Sequence, residues 1–287
     1  MKALASILYA DTAVQEARPV DVASLEREML SLNQESCDVV HSFGPGIYVR
    51  QVTLKAGIFA VGHRQKQEHL NLMLTGKVTV IEDDGTHKDL VAPLMFTGQP
   101  GKKVGYVHED CVWLNIYATD ERDIGKLEEM FLDKSEAWAD SQKLLSCERA
   151  EDRADFLAVL QEVGISEELV REQSENPDDQ IQFPPGSYKV KVGRSNIEGS
   201  GLIATGSFGA GEFIAPARIN GLRTPAGRYT NHSKTPNAEM RLMFGGNIAL
   251  VSLRCISGCM GGNDGEEITV DYRQALAVNV ESVGSEA

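Results

Sequence analysis

The chain has 287 residues, with 28 Lys and Arg against 42 Asp and Glu, a formal net charge of −14 and a pI of about 4.9. That length suits two domains with a connecting element and supports a core that needs no disulfide staples. The negative balance excludes nucleic acid or an anionic membrane surface as the main partner, because phosphate binding requires clustered cations, whereas a basic partner such as a Lys-rich peptide would be attracted.

The first segment, Met1 to Ala10, carries one basic residue and then a short apolar run that stops at Asp11. The run loosely imitates a secretory leader but is at the low end of the length such a leader needs, and Glu16 and Arg18 follow quickly, so it is taken as part of the fold. No stretch approaches the roughly 20 apolar residues of a membrane span. Five cysteines, Cys37, Cys111, Cys147, Cys255 and Cys259, are an odd and widely spaced set. They fit a reducing compartment, and the expected location is cytoplasmic, or host cytoplasm or virion for a viral protein.

From residue 47 to 118 the pattern is that of strands. Val52/Leu54, Leu70/Leu72/Leu74, Val78/Val80 and Val112/Leu114/Ile116 all alternate with period two, and Asp84-Gly85 predicts a hairpin turn. From residue 120 to 174 the period becomes helical, with Leu127, Met130 and Phe131 in one stretch and Phe156, Leu157, Val159 and Leu160 in the next, closed by Gly164. A polar, proline-rich run from Glu175 to Gly186 predicts a linker, after which strands and glycines return through Val270. The expected fold class is mainly β: a β-barrel over residues 1–119, a helical connector and linker over 120–180, and a compact β domain over 181–287.

Chemistry first enters at Gly62-His63-Arg-Gln65-Lys-Gln-Glu68-His69, followed by Gly76, and again at Pro100-Gly101 with Gly105-Tyr-Val-His108. These residues resemble the two motifs of the cupin family, with Gln65 where the second His would stand and His69 where the Glu would stand. If the strand is continuous, His63, Gln65, His69, Asn71 and Met73 share one face, and Leu70, Leu72 and Leu74 the other. His108 shares its face with Val112, Leu114 and Ile116, read as the barrel interior. The resemblance implies a divalent metal held by His63, His69 and His108. The alternative is that they are buried polar residues of a cupin without its metal. The leucines need cover, from the helical segment or from a second copy.

The C-terminal unit holds Glu198-Gly199-Ser200-Gly201, then Gly211-Glu212, then Gly227-Arg228-Tyr229-Thr230-Asn231-His232-Ser233 with Pro236-Asn237, and last Glu266-Glu267-Ile-Thr-Val-Asp271-Tyr272. Four such segments in this order resemble the SET domain in a compact bacterial or viral form. The resemblance implies transfer of a methyl group from S-adenosylmethionine to a lysine of a protein or peptide. Gly199, Ser200, Gly201, Arg228, Tyr229, Asn231 and His232 would contact the cofactor, and the Tyr272 hydroxyl would line the transfer channel. Deprotonating the lysine at pH 7 costs about 4–5 kcal/mol, which an aromatic channel would offset by burial. Departures are a short segment between Gly201 and Asn231 and the lack of a Cys-x-Cys cluster after Tyr272. Protein-lysine methyltransfer is thus the leading expectation. A non-catalytic assembly protein, as a homo-oligomer or viral particle component, is the second, and a cupin metalloenzyme is the third.

Overall fold

The structure is a computed structural model that describes residues 21–81, 85–145 and 150–284. The expectations about Met1 to Ala10 and about the Asp84 half of the turn lie outside these residues. The described chain opens with α1 (Val22–Leu30), whose first turn is capped by Asp21 accepting from the Ser24 amide. Eight strands follow: β1 (Val39–Gly44), β2 (Ile47–Leu54), β3 (Phe59–Val61), β4 (Arg64–Gln65), β5 (His69–Ile81), β6 (His87–Val91), β7 (Leu94–Gly98) and β8 (Val104–Ala118). The middle of the chain is α2 (Ile124–Phe131), β9 (Leu132–Asp133), α3 (Glu136–Leu145), α4 (Ala150–Val163) and α5 (Glu167–Glu175). The last part contains β10 (Gly186–Tyr188), β11 (Val190–Arg194), β12 (Ser200–Ala204), β13 (Phe213–Ile219), β14 (Leu222–Arg223), α6 (Pro225–Arg228), β15 (Asn231–His232), β16 (Ala238–Leu242), β17 (Ile248–Ser252), β18 (Glu267–Val270) and α7 (Tyr272–Gly284). The protein is mainly β, as the alternating runs predict. No helix among the described residues is long and apolar enough to cross a bilayer.

The N-terminal sheet runs β10-β1-β2-β8-β5-β6, with β3 also on β8 and β7 also on β5. Its register sorts the inner face into rungs, since residues directly opposite in antiparallel strands point the same way. One rung is aromatic: Phe43, Tyr48 and Tyr117 stand opposite one another, and His69 stacks on Tyr117 at 5.4 Å. The next is polar, with His41, Arg50, Asn115 and Asn71 on four neighbouring strands. The third is apolar, formed by Val39, Val52, Trp113 and Met73. Where β5 bends across β8 the register shifts around Gly76, which has φ +93° and lies so close to β8 that a Cβ would meet the Asp110 carbonyl oxygen at 2.8 Å. Only glycine satisfies both demands.

The outer face of this sheet corrects one expectation. The parity is as predicted, with His69, Asn71 and Met73 buried on the opposite face, but Leu70 is 37% and Leu74 47% exposed and Leu72 is half-buried. Among the described residues neither a helix nor another element packs over them.

The second half forms two four-stranded sheets, β11-β12-β18-β15 and β14-β13-β17-β16. In the first, β15 runs parallel to β18, so Asn231 stands opposite Thr269 and His232 opposite Val270. The halves share one core. Phe43, Tyr48 and Tyr117 of the first sheet, Ile124, Leu127 and Phe131 of α2, and Leu202, Leu250 and Ile268 of the second half form a single buried cluster. β10, inside the span assigned from sequence to the third unit, hydrogen-bonds β1 and completes the first sheet.

Candidate functional site

Inside the N-terminal sheet lies a cavity of about 430 Å³. Its far end is apolar, lined by Leu54, Ile58, Val78, Val80 and Val107. Its near end is formed by Arg50, Asn71 and Asn115 of the polar rung, joined by His63, Gln65 and His69; His41, the fourth member of the rung, is fully buried and does not line the cavity. The mouth is framed by Glu26 and Met29 of α1, Gln34, Trp138 of α3 and the Gly261-Gly262 loop of the second half. Trp138 fixes that frame, because its indole N–H donates to the Gly262 carbonyl while its ring meets His63 edge-on at 5.3 Å.

The hydrogen bonds at the polar end leave donors unmet. Asn71 Oδ1 accepts from Trp113 Nε1 at 2.8 Å and from Asn115 Nδ2 at 2.7 Å. An indole N–H only donates, so this contact identifies the oxygen and leaves Asn71 Nδ2 as the free end. That nitrogen is buried without a partner, on a residue 2% exposed. It occupies the space beside Gly98, where a Cβ would come within 2.2 Å of it. Arg50 Nε is likewise buried and unpartnered, and Arg50 makes no hydrogen bond or ion pair among the described residues. His41 donates to or accepts from the Tyr48 hydroxyl through Nδ1 at 2.7 Å and leaves Nε2 without a partner. Of five buried side-chain atoms without partners among the described residues, three lie on this one rung. Buried polar groups are normally satisfied, so such a concentration points to a missing acceptor.

The electrostatics agree. Burial first, and then the Arg50 charge, lower His63 to about 3, so its imidazole is neutral at pH 7. His41, fully buried, is lowered by burial to about 3 as well. His69 is lowered by burial, against the opposing effect of its hydrogen bond to the Gln67 carbonyl and of the neighbouring Asn71 side chain, and its Nδ1–H donates to that carbonyl at 3.0 Å, which puts the lone pair on Nε2. Gln65 Oε1 accepts from the Tyr117 hydroxyl at 2.7 Å. At the polar end of the cavity the lasting charges are therefore the Arg50 guanidinium on the rung and the Lys103 ammonium, whose field reaches His69. Glu128, whose field reaches His41 and His63, is committed to Lys134 at 2.7 Å and Lys191 at 3.8 Å.

The three-histidine metal centre does not form. His63 and His69 line the cavity, but His108 is exposed on the outer face, with its Nε2 at 2.7 Å from Thr79 Oγ1 and its ring edge-on to Tyr106. Its shared parity with Val112, Leu114 and Ile116 is correct, but the inner face of β8 is that of Val107, Cys111, Asn115 and Tyr117. Among the described residues no three His, Cys, Asp or Glu side chains gather to hold a metal, so a divalent ion on these histidines does not fit. The residues of this candidate site absent from the sequence reading are Arg50 and Asn115, with His41 beside them on the rung. Their signal was a polar residue at a core-parity position between apolar neighbours, as in Val39-x-His41-x-Phe43 and Tyr48-x-Arg50-x-Val52.

The SET-like residues do come together, and they engage one another. Asn231 Nδ2 lies within hydrogen-bond distance of Ser195 Oγ, the Glu198 and Ser200 carbonyls and Glu267 Oε1. A Cβ on Gly201 would meet that same Glu267 carboxylate at 2.4 Å, so the glycine makes room for the protein's own side chain. Gly199 has φ +52° in the turn before it. His232 is fully buried, with Nε2 at 2.8 Å from Asp155 of α4, and its Nδ1 accepts the Tyr272 amide. Asp152 of the same helix accepts from Ser233 Oγ and the Lys234 amide. Tyr272 donates to the Thr230 carbonyl at 3.2 Å, meets Phe156 of α4 edge-on, and is raised by burial to about 12. Arg228 lies over the Tyr229 ring and donates to Gln180. Helix α4 thus packs against His232, Ser233 and Tyr272, while Gly199 and Ser200 are exposed. With His232, Asn231 and Tyr272 bonded within the chain, the residues present do not fit S-adenosylmethionine. Cys255 is exposed and Cys259 buried, both as free thiols.

No family model matches the chain, and no curated protein matches it. Solved structures similar to part of it are cupin and RmlC-like proteins with a double-stranded β-helix. One is an RmlC-like cupin from Methanocaldococcus jannaschii, 10% identical over 30% of this chain and 82% of that one, with a TM-score of 0.26. A cupin-2 domain protein from Shewanella frigidimarina is 13% identical over 33% of this chain and 91% of that one, with a TM-score of 0.24. Ectoine synthase from P. lautus is 10% identical over 38% of this chain and 90% of that one, with a TM-score of 0.27.

Proposed function

We propose that this protein binds a small organic molecule in the cavity of its N-terminal sheet and serves as a ligand-binding protein. The observation that carries this reading is the polar rung: a 430 Å³ cavity with an apolar far end and, at its near end, Asn71 Nδ2 and Arg50 Nε buried without partners. Pockets with mostly apolar walls and a few convergent polar groups are the usual form of small-molecule sites. Methyl transfer is not carried forward, because His232 is bonded to Asp155 of α4 and Tyr272 to the Thr230 carbonyl, with the Tyr272 ring against Phe156 of α4. The test uses the two tryptophans of the chain, Trp113 and Trp138, which both line the cavity. Compounds from a chemically diverse library that raise the melting temperature are expected to change tryptophan emission at matching concentrations. Stabilising compounds that leave the emission unchanged, or a library without any stabilising compound, would refute the reading.

A second reading has its own support. Leu70 and Leu74, with Met95 at 61% exposure and the half-buried Leu72, Leu114 and Ile116, make a continuous apolar patch on the outer sheet face. A second copy of the chain would cover it, and sedimentation equilibrium is expected to give a mass above 31.3 kDa. Leu74→Lys should return it to the monomer.

A further inference from the structure

We infer that the ligand of this cavity is an organic carboxylate, held by its head on the polar rung with an apolar body reaching toward Val78, Val80 and Val107. The inference rests on the cavity being a binding site and adds its chemistry. The unmet groups at the near end are N–H donors: Asn71 Nδ2, whose identity as the amine follows from its two bonded neighbours, and Arg50 Nε. A neutral ligand could meet those two donors with any oxygen. The guanidinium adds a second demand, because a charge with no counter-ion among the described residues is costly in a partly buried site. An anion with two acceptor oxygens answers both at once, and a planar carboxylate matches the fork of Arg in a bidentate pair.

The rest of the wall sets the size of that charge. His63 is neutral at pH 7 and burial shifts His69 toward its neutral form, so both add donors or acceptors to the wall, while His41 behind the rung is neutral as well. Of the two carboxylates around the cavity among the described residues, Glu26 on α1 is paired with Lys102 at 2.5 Å and Glu35 is exposed to solvent. On the rung itself the single cation is Arg50, with Lys103 on the wall beside His69, and one negative charge at the rung favours a carboxylate over a phosphate or phosphonate near its dianionic form. Beyond the rung, the Val52–Trp113–Met73 row and the valines behind it supply no donor other than the Trp113 N–H, already bonded to Asn71. The body of the ligand that lies there is therefore apolar.

The test titrates the full chain with 4-phenylbutyrate, with its uncharged analogue 4-phenylbutyramide, and with the corresponding phosphonate, read by calorimetry and tryptophan emission. The wild-type protein is expected to bind the carboxylate at least tenfold more tightly than the amide and more tightly than the phosphonate. Arg50→Gln should abolish the preference for the acid over the amide, while Arg50→Lys retains part of it. Asn71→Asp keeps an oxygen for Trp113 and Asn115 but replaces the free amine by a second oxygen, and should weaken the carboxylate selectively. Circular dichroism establishes that each variant is folded, and the wild-type comparison of acid with amide needs no variant at all. Equal binding of acid and amide, or a preference that survives Arg50→Gln, overturns the carboxylate assignment and leaves the cavity reading intact. Tighter binding of the phosphonate also overturns it. No response of the wild-type protein to these probes or to the library overturns both.

Discussion

Acidification offers a quantitative test of the buried polar rung. His41 is fully buried, and its pKa is lowered by burial to about 3, while the charged groups around it come from three elements: Arg50 on β2, Glu128 on α2 and Lys191 on β11. In the unfolded chain the same imidazole titrates near 6.5. The unfolded state therefore binds the proton first, so stability is full above about pH 6.5 and falls as the pH drops from there toward 3. At pH 5 the unfolded form gains about 2 kcal/mol from this one residue, and at pH 6 just under 1 kcal/mol. Urea denaturation at pH 7, 6 and 5 measures the loss directly. His41→Gln keeps a polar group for the Tyr48 hydroxyl but does not titrate, so its loss between pH 7 and pH 5 should be smaller than the wild-type loss by about 2 kcal/mol. His63, lowered for the same first cause, remains in both proteins and cancels in the comparison. Equal losses in wild type and variant would show that His41 is hydrated or already protonated, and would refute the dry, neutral rung on which the binding argument stands.

Three further outcomes are expected. Gly227→Ala places a Cβ 2.0 Å from the Ala217 carbonyl oxygen, backbone against backbone; it should yield little soluble folded protein, and wild-type expression and melting temperature would contradict the packing of α6 on β13. Lys191→Met leaves Asp264 and Glu128 without the buried ammonium that lies 2.7 and 3.8 Å from them, at a cost of about 3 kcal/mol in urea unfolding. A loss below about 0.5 kcal/mol, the range of an ordinary surface change, would refute it. Tyr272→Phe removes one hydrogen bond to the Thr230 carbonyl and should lower stability by about 1 kcal/mol while leaving the binding of cavity probes unchanged; a large drop in probe affinity would link that tyrosine to the site.

Local periodicity made the strands legible, and for β5 it also sorted the faces: His69, Asn71 and Met73 turn inward together while Leu70, Leu72 and Leu74 turn outward. It could not say which face of β8 is the inner one, because parity is a relation between residues and carries no direction. That is why His108 was placed beside His63 and His69 and is found outside. Arg50 and Asn115 stand opposite each other although 65 positions separate them, a pairing fixed by register and invisible in any window of sequence. At the C-terminal end the motif residues Gly201, Asn231, His232 and Tyr272 do assemble. What the motif could not show is the helix above them: Asp152, Asp155 and Phe156 read locally as an ordinary amphipathic turn, and only the tertiary packing sets them against Ser233, His232 and Tyr272.

The pairing of β10 with β1 bears on how the chain folds. Ser42 bonds Ser187 across 145 positions, and Thr205 reaches back to Val39 across 166. During synthesis β1 and β2 leave the ribosome long before β10 exists, and until then one edge of the first sheet is bare, beside the aromatic row that ends in Phe43. Such long-range closure is slow, since the entropy of a large loop must be lost before its contacts form. The aromatic row also belongs to the cluster that contains Leu202, Leu250 and Ile268, so neither half can complete its interior alone. Unfolding should accordingly occur in one cooperative transition, and a fragment ending at residue 119 should aggregate rather than fold.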